Sequence, residues 1–398
     1  MSNAVSEKKT DYEELLGLLR QNGMDFKWAK MFVKKLSDDE KAFRVDEETK
    51  RWAMERGFFP GRVELYGLND DNYQDYMPDY GYFMVHPLNH HFRIWINDKL
   101  TLKYVLNSCG CEETMPEYYL YVENNGDYTY LMDAPASVPK DKDFLLNLLK
   151  EKKFLAVKPN SGTSGGLGFM KWEWKDGTLV VNNKQITMAE FEQITKKLQN
   201  NVVTEYCREH SELARIWPES ECTLRVIMAK LPQEDPCSEA RWHNLISFAR
   251  FGSSVSGGAS NLSSGGIGIG FDYETGKFKD FGLRYKRFCA DGNIVCREHP
   301  DTHAVWDECT LPNWSYVKEK IERVCSHISS LDYMGFDVII TQDGMKFCEI
   351  NSHPALDYAQ LMCSPALADQ DTCRFFEKHG LFNVNYQKFW QMYKDCQV

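Results

Sequence analysis

Three side chains that carry oxygen atoms, Asp337, Glu349 and Asn351, lie close together near the end of the chain. Apolar runs on either side of residues 342–344 predict a hairpin of two strands. A three-residue turn places Asp337 opposite Glu349 with Asn351 on the same face, whereas a two-residue turn would separate the carboxylates. This set suits Mg²⁺, or Mn²⁺, because these ions take oxygen ligands and share them with substrate phosphates. The alternative is a hairpin whose polar residues are simply solvated.

A loop rich in glycine and small hydroxyl residues follows the apolar strand predicted at residues 154–157. Lys158 ends the strand, and the candidate phosphate-binding residues of the loop are Ser161, Gly162, Ser164 and Gly165. Glycine lets backbone N–H groups approach a polyphosphate closely, and successive amides can form an anion-binding concavity. The spacing is neither that of a Walker A loop nor that of a Rossmann fingerprint. A glycine-rich hairpin without a ligand is the alternative for this segment.

Several segments, in the same order along the chain, resemble the ATP-grasp superfamily, in which two lobes close on a nucleotide. They are Asn97-Asp98-Lys99-Leu100, Lys158 with its loop, residues 202–206, and Asp337 with Glu349-Ile350-Asn351. Further segments are similar to the sugar-transfer-associated ATP-grasp family: residues 210–213, 222–226, 261–266, 298–301 and 311–314. The resemblance covers roughly residues 97–365. It implies an α+β fold in which two lobes with mainly antiparallel sheets sandwich ATP.

The resemblance also implies which residues bind ATP. Lys99 and Lys158, on two predicted strands, would hold the phosphates together with the loop. The backbone groups that pair with the adenine would belong to Glu205, Tyr206 and Cys207, although a plain strand end explains these residues equally well. Glu212, or alternatively Glu209, would hold the ribose hydroxyls.

Two arginines, Arg225 and Arg250, lie within predicted strands, where a buried guanidinium needs an anionic partner. The resemblance implies that they bind the γ-phosphate or the charge that develops at a reacting carboxylate, with a structural salt bridge as the alternative for one of them. Asn261 precedes a second glycine-rich loop on the substrate side. The Asp-Asn pair of the family appears here as Ser260-Asn261, so one carboxylate is missing. His299 is a candidate base or a residue that caps a turn.

The reaction implied is ATP-dependent activation of a carboxylate as an acyl phosphate, which an amine captures with release of ADP and phosphate. The family context suggests small-molecule or peptide-like substrates used in cell-surface polysaccharides or peptide conjugates. Three other functions are also compatible with the sequence. They are a kinase for a sugar or polyol, a nucleotide-binding protein without turnover, and a glycan-binding module built on the aromatic segment 61–95.

The composition excludes some other classes of function. A net charge of −11 argues against general binding to nucleic acid or to anionic membrane surfaces. No apolar run is long enough to span a bilayer. The 13 cysteines are scattered without metal-binding spacing, which predicts reduced thiols in a cytoplasmic protein.

Three regions are expected along the chain. Residues 1–95 form a helical, aromatic-rich N-terminal extension, in which Gly23 and the segment 37–40 are expected to separate helices. Residues 96–207 hold a segment preceding the ATP site and the first lobe. Residues 208–398 form the second lobe, with the metal-binding hairpin and C-terminal helices.

Overall fold

The computed structural model of the chain describes residues 10–162, 168–257, 259–289, 292–306 and 309–397. Its α-helices are α1 (Tyr12–Gln21), α2 (Phe26–Ala42), α3 (Glu47–Met54), α4 (Arg62–Tyr66), α5 (Asp79–Met84), α6 (Ile94–Asn97), α7 (Lys99–Asn107), α8 (Phe144–Lys152), α9 (Met188–Thr195), α10 (Ser211–Ala214), α11 (Trp314–His327), α12 (Asp357–Met362), α13 (Gln370–Lys378) and α14 (Tyr386–Asp395). Its strands are β1 (Tyr118–Val122), β2 (Tyr128–Tyr130), β3 (Phe154–Pro159), β4 (Met170–Lys175), β5 (Thr178–Val181), β6 (Lys184–Ile186), β7 (Asn201–Glu205), β8 (Thr223–Lys230), β9 (Trp242–Phe251), β10 (Ile267–Phe271), β11 (Phe278–Leu283), β12 (Val295–Cys296), β13 (Tyr333–Thr341) and β14 (Gly344–Asn351).

Two sheets of seven strands form the centre of the molecule. The first sheet has the order β2-β1-β7-β3-β4-β5-β6, and the second has the order β12-β11-β10-β9-β8-β13-β14. Every pair of neighbouring strands is antiparallel. The predicted α+β class with mainly antiparallel sheets is therefore confirmed.

The second sheet is buried on both faces, as the alternation along β8 shows. Val226 and Met228 belong to the same apolar core as the buried stripe of α11. Ile227 and Ala229, which point to the opposite face, belong to the core of the N-terminal and C-terminal helices. The sheet that carries the candidate metal-binding hairpin is thus held rigidly between two helical layers.

The N-terminal helices pack against the C-terminal helices through aromatic rings. The ring of Phe389 in α14 lies 5.3 Å from that of Phe32 in α2 and stacks on Tyr80 at 4.7 Å. Tyr66 and Tyr82 of the aromatic segment 61–95 are also buried. These rings fill a core, so they do not offer an open surface for stacking sugars.

In helix α2, the helix boundary expected at residues 37–40 is absent. The predicted break at Gly23 is present, but residues 37–40 continue α2 to Ala42. The reason is a tertiary contact, because the buried Asp39 carboxylate accepts a hydrogen bond of 2.8 Å from the Gly61 amide. Within the described residues, no helix combines the length and the apolar character that crossing a bilayer requires.

Candidate active site between the two sheets

The β13–β14 hairpin pairs Asp337 with Glu349, but the predicted turn is wrong. Thr341 pairs with Gly344, so the loop has two residues and not three. A β-bulge then lets Val338 pair with Phe347 while Asp337 still pairs with Glu349. The extra residue restores the pairing that the shorter loop alone would have lost.

The extra residue of this bulge, Cys348, receives a contact from the other sheet. The ammonium of Lys158, at the end of β3, donates a hydrogen bond of 3.3 Å to the Cys348 carbonyl. Burial lowers the pKa of Lys158, and the nearby charge of Lys99 acts in the same direction. The two lysines that the sequence analysis assigned to phosphates therefore lie near each other at the hairpin.

Asp337 is held between two arginines from neighbouring strands. Arg225, directly opposite in β8, donates to both oxygens of its carboxylate, through Nε and, at 3.0 Å, through Nη2. Nη2 of Arg250 lies 3.0 Å from Oδ2 of Asp337. Burial would raise the pKa of Asp337, but the charges of Arg225 and Arg250 outweigh it and hold this pKa at about 2. Asp337 is therefore an ionised, buried carboxylate.

Glu349 faces the second lysine and the third candidate metal ligand. Oε2 of Glu349 lies 3.6 Å from the ammonium of Lys99. Its Oε1 accepts a hydrogen bond of 3.2 Å from the amide Nδ2 of Asn351. Glu349 is also the residue that pairs with Asp337 across the hairpin. The three candidate metal ligands are consequently adjacent side chains.

Lys99 is the first residue of helix α7 and does not lie on a strand as predicted. The reason is a helix cap, because the carboxylate of Asp98 accepts a hydrogen bond of 2.8 Å from the Thr101 amide. This start of α7 is fixed by Asn160, a buried residue that the sequence analysis did not assign. The Asn160 carbonyl accepts from the Lys99 amide at 3.0 Å, and its side-chain nitrogen donates to Asp98 at 2.6 Å.

Asn160 therefore joins the two lysine-bearing segments, since it lies two residues after Lys158. The only sequence signal for this role is its place between a candidate lysine and a glycine-rich loop. Ser161 and Gly162 follow directly, and Gly162 has a φ of +81° that favours glycine. Ser164 and Gly165 lie outside the described residues.

Arg250 connects Asp337 to Asn261. Its Nη1 donates to Oδ1 of Asn261 at 3.2 Å, while the Asn261 carbonyl accepts from the Gly266 amide at 3.0 Å. The remaining nitrogen, Nε of Arg250, is buried and has no hydrogen-bond partner among the described residues. Ser260 pairs with the Thr223 hydroxyl at 2.9 Å. Ser260, which stands where the sequence analysis expected a carboxylate, is therefore one of a pair of hydroxyls.

The three residues assigned to the adenine lie at and directly after the end of β7. The Glu205 amide is bonded to the Glu117 carbonyl at 2.8 Å, and its carboxylate lies 3.5 Å from the ammonium of Lys346. The hydroxyl of Tyr206 donates to the Glu221 carboxylate, and Cys207 is buried. Within the described residues, the backbone groups of Tyr206 and Cys207 form no hydrogen bond outside the strand ladders.

The two candidates for the ribose differ in position. Glu212 is exposed on the short helix α10, and its amide donates to Nδ1 of His210 at 3.2 Å. The carboxylate of Glu209 accepts from the Cys222 amide at 2.7 Å. Burial raises the pKa of Glu209 to about 8. The Glu209 carboxylate is therefore held beside the start of β8, whereas the Glu212 side chain is exposed.

His299 faces the protein core. It is fully buried, its Nε2 donates to the Gly252 carbonyl at 2.9 Å, and its Nδ1 accepts from the Asp301 amide at 3.2 Å. Its ring stacks on Trp217 at 5.0 Å, and burial lowers its pKa. This position favours the turn-capping alternative over a role as a base.

The sequence matches the model of the sugar-transfer associated ATP-grasp family over residues 87–374, which is more than half of the chain. The chain belongs to this family. No curated protein sequence matches it. The family match includes both sheets and every site residue described above.

Solved structures of ATP-grasp ligases resemble this family member at low sequence identity. An ADP complex of N5-carboxyaminoimidazole ribonucleotide synthetase is 10% identical, with a TM-score of 0.37, over 71% of this chain and 52% of that chain. The Staphylococcus aureus enzyme in its ADP complex is 10% identical, with a TM-score of 0.36, over 70% and 52%. D-alanine–D-alanine ligase from Bacillus anthracis is 14% identical, with a TM-score of 0.34, over 78% and 68%. The ATP-grasp chain thus spans about half the length of the two synthetases.

The site of this ATP-grasp protein offers donors that fit Mg²⁺. Asp337 and Glu349 pair across the hairpin, and each offers carboxylate oxygens of the kind that Mg²⁺ prefers. The Asn351 nitrogen is directed to Glu349, which leaves its amide oxygen as an acceptor. Within the described residues, no group of three His, Cys, Asp or Glu side chains could hold a metal. An ion here would therefore need Asn351 and phosphate oxygens as additional ligands.

Proposed function

We propose that the protein is an ATP-dependent ligase that activates a carboxylate as an acyl phosphate and joins it to an amine. The observation that carries this proposal is one continuous set of contacts. It links, in order, Lys99, Glu349, Asp337, Arg250 and Asn261, with Glu349 and Asp337 joined by their pairing across the hairpin. These residues come from five separate segments, and together they offer cations, carboxylates and amides to one small volume.

The two lysines bind the phosphates of ATP in this proposal. Lys158 and Lys99 carry charges close enough to affect each other, so an anion between them would relieve an unfavourable repulsion. The backbone groups of Tyr206 and Cys207, directly after the end of β7, are suited to pairing with the edge of an adenine. Glu349 and Asn351, with Asp337, would hold Mg²⁺, which neutralises charge on phosphate oxygens when bound.

Arg250 stabilises, in this proposal, the negative charge that develops while the phosphoryl group is transferred. Its two outer nitrogens are fixed by Asp337 and Asn261, while its buried Nε has no partner among the described residues. A fixed donor of this kind can stabilise an oxyanion or a phosphoryl oxygen without reorganisation. Arg225 holds Asp337 from the opposite side and so positions the same group.

The proposal is tested by ADP release measured over a matrix of carboxylates and amines, with the product mass determined for each active pair. A ligase requires both compounds and yields an amide. ADP release with a single sugar or polyol, together with a phosphorylated product, would support the kinase alternative instead. Binding of ATP without turnover on any pair would oppose both reactions.

A further inference from the structure

The turn that begins at His299, which the proposed function does not use, contacts the chain just after β9. His299 is fully buried, and its Nε2 donates to the Gly252 carbonyl at 2.9 Å. Gly252 lies two residues after Arg250 in a place that has no room for a side chain. A Cβ atom at this position would lie 2.3 Å from Oγ of Ser220 and 2.6 Å from Nε1 of Trp217. His299 therefore holds the end of β9 in tightly packed surroundings.

His299 also fixes the turn that carries Asp301. Its Nδ1 accepts from the amides of Asp301 and Thr302, at 3.2 Å and 3.3 Å. Since Nδ1 is an acceptor, the ring proton lies on Nε2, the atom that donates to the loop after β9. The ring also stacks on Trp217 at 5.0 Å. The imidazole thus has one orientation, and it presents Asp301 in one place.

Both oxygens of the Asp301 carboxylate are engaged by one residue of the loop after β9. Oδ2 accepts from the Ser254 amide at 3.0 Å, and Oδ1 accepts from Oγ of Ser254 at 2.6 Å. Hydrogen bonds to an ionised acceptor are shorter and stronger than neutral ones. Asp301 and Ser254 are 47 residues apart in sequence, so this contact joins two loops that no local pattern brings together.

The loop after β9 is in turn joined to the second glycine-rich loop. The Ser253 amide donates to Oγ of Ser256 at 3.0 Å, which closes the loop on itself. Oγ of Ser253, a buried residue, donates to the Gly265 carbonyl at 2.8 Å. The loop that Asp301 holds is therefore bonded to the loop that begins at Asn261.

Asn261 completes the connection to Arg250. The Gly266 amide, next to Gly265, donates to the Asn261 carbonyl at 3.0 Å, and Oδ1 of Asn261 accepts from Nη1 of Arg250 at 3.2 Å. The guanidinium is thus reached from two directions, along the chain from Gly252 and through the Asn261 side chain. A movement of either loop would change where the guanidinium points.

We propose that Asp301 is a positioning residue for the reaction. By binding Ser254 it holds the loop after β9 against Gly265, and it so fixes the Asn261 amide that orients Arg250. The consequence for turnover rests on the proposed function, whereas the coupling of the loops does not. Donors that are already in place need no reorganisation during a reaction, so losing this support should lower kcat more than it weakens ATP binding.

The variants are chosen to separate hydrogen-bonding geometry from charge. Asp301→Ala removes both acceptors. Asp301→Asn keeps an oxygen for the Ser254 amide and offers an NH₂ group to the Ser254 hydroxyl, which can also accept. Asp272→Ala is the matched control, because Asp272 accepts from the Thr275 amide at 2.8 Å and from its hydroxyl at 2.7 Å. That pair of contacts lies in the turn between β10 and β11, at the opposite end of β10 from Gly265.

Hydrogen exchange of backbone amides tests the positioning without any substrate. We expect the amides of Ser254 and Gly266 to exchange ~10-fold faster or more in Asp301→Ala, and at the wild-type rate in Asp301→Asn and Asp272→Ala. Unchanged exchange at Gly266 in Asp301→Ala would overturn the inference. The measurement decides this even where no carboxylate and amine pair releases ADP, so failure of the proposed function is a separate outcome.

Steady-state ADP release tests the link to Arg250. The kcat of Asp301→Ala should fall by ~10-fold or more, whereas its affinity for ATP, measured by direct titration, should change less than about twofold. Asp301→Asn should restore most of the rate. Because Asp301 acts through Arg250, the double variant with Arg250→Lys should lose less than the product of the two separate losses.

Two kinetic results would overturn the link to Arg250. They are losses that multiply fully in the double variant, and an Asp301→Asn protein that is as slow as Asp301→Ala. If Asp301→Ala does not fold, Ser254→Ala takes its place in both measurements, since it loses only the hydroxyl contact to Asp301. The same directions are then expected with smaller changes.

Discussion

Lys158, in the first sheet, donates a hydrogen bond to the carbonyl of Cys348, the extra residue of the bulge in the second sheet. The bulge leaves this carbonyl outside the regular ladder, so it can accept from another element. The same bulge keeps Asp337 opposite Glu349. One local irregularity therefore sets the register of the carboxylates and places a phosphate-binding candidate beside them.

Glu349→Gln should remove turnover without unfolding the protein. The substitution keeps the shape of a half-buried side chain but removes the charge that faces Lys99 and a metal ion. We expect the rate of ADP release to fall by about 10²-fold or more. Glu322→Gln, on the exposed side of α11, is the control. A Glu349→Gln protein with near-normal turnover would contradict the assignment of Glu349 to the metal site.

Asp337→Asn should behave differently, because Asp337 is the partner of the buried Arg250 and the partly buried Arg225. Removing its charge leaves Arg225 and Arg250 without their counterion, so we expect a loss of about 3 kcal/mol in the free energy of unfolding. Urea denaturation of Asp337→Asn and Glu349→Gln, side by side, measures this. Equal stability in the two variants would show that the arginine cluster does not depend on Asp337.

The acid stability of the fold should also depend on Asp337. Folding lowers its pKa from an ordinary value of 3.8 to about 2. A lowered carboxylate pKa stabilises the fold above the unfolded value, and this stability is lost as the pH falls from about 4 towards 2. The contribution is about 2–3 kcal/mol. The free energy of unfolding, measured between pH 5 and pH 2, should therefore fall more steeply with decreasing pH for the wild type than for Asp337→Asn.

The strands and the amphipathic helix were predictable because their signals are local. The stripe of Val317, Ile321 and Val324, at helical spacing, marks α11. The strand predicted around Arg225 agrees with β8. The length of the turn within residues 342–344 was not predictable, since it is compensated by the bulge at Cys348. The bulge is stabilised by Lys158, which is distant in sequence.

The sequence allowed several residues of the candidate site to be identified, but it did not predict the contacts among them. Lys158, Asp337 and Glu349 are recognisable from residue type and spacing. The clamp of two arginines on Asp337 depends on the order of β9, β8 and β13 in the sheet, which no single segment encodes. The role of Asn160 likewise depends on how α7 meets β3, so no local pattern marks it.

Asn160→Ala should weaken nucleotide binding although Asn160 is not expected to touch ATP. The variant loses the side-chain hydrogen bonds to Asp98 and to the Leu100 amide, which fix the first turn of α7. We expect a loss of about 1–3 kcal/mol in stability and weaker binding of a fluorescent ADP analogue. Asn147→Ala, on α8, is the control. Unchanged affinity would show that Lys99 does not depend on this contact.

The variant Arg250→Lys distinguishes the ligase proposal from the alternative of nucleotide binding without turnover. Lysine keeps the charge next to Asp337, but it cannot also contact Asn261 and present a third donor at the position of Nε. If Arg250 stabilises charge that appears only during transfer, kcat should fall by about 10²–10³-fold while the affinity for ATP changes little. Steady-state ADP release and direct ATP titration give the two quantities. The thermal midpoint must stay close to that of the wild type, because a large decrease would mark the Arg250–Asp337 pair as structural. In that case, or with normal turnover, Arg225 would be the next arginine to test by the same substitution.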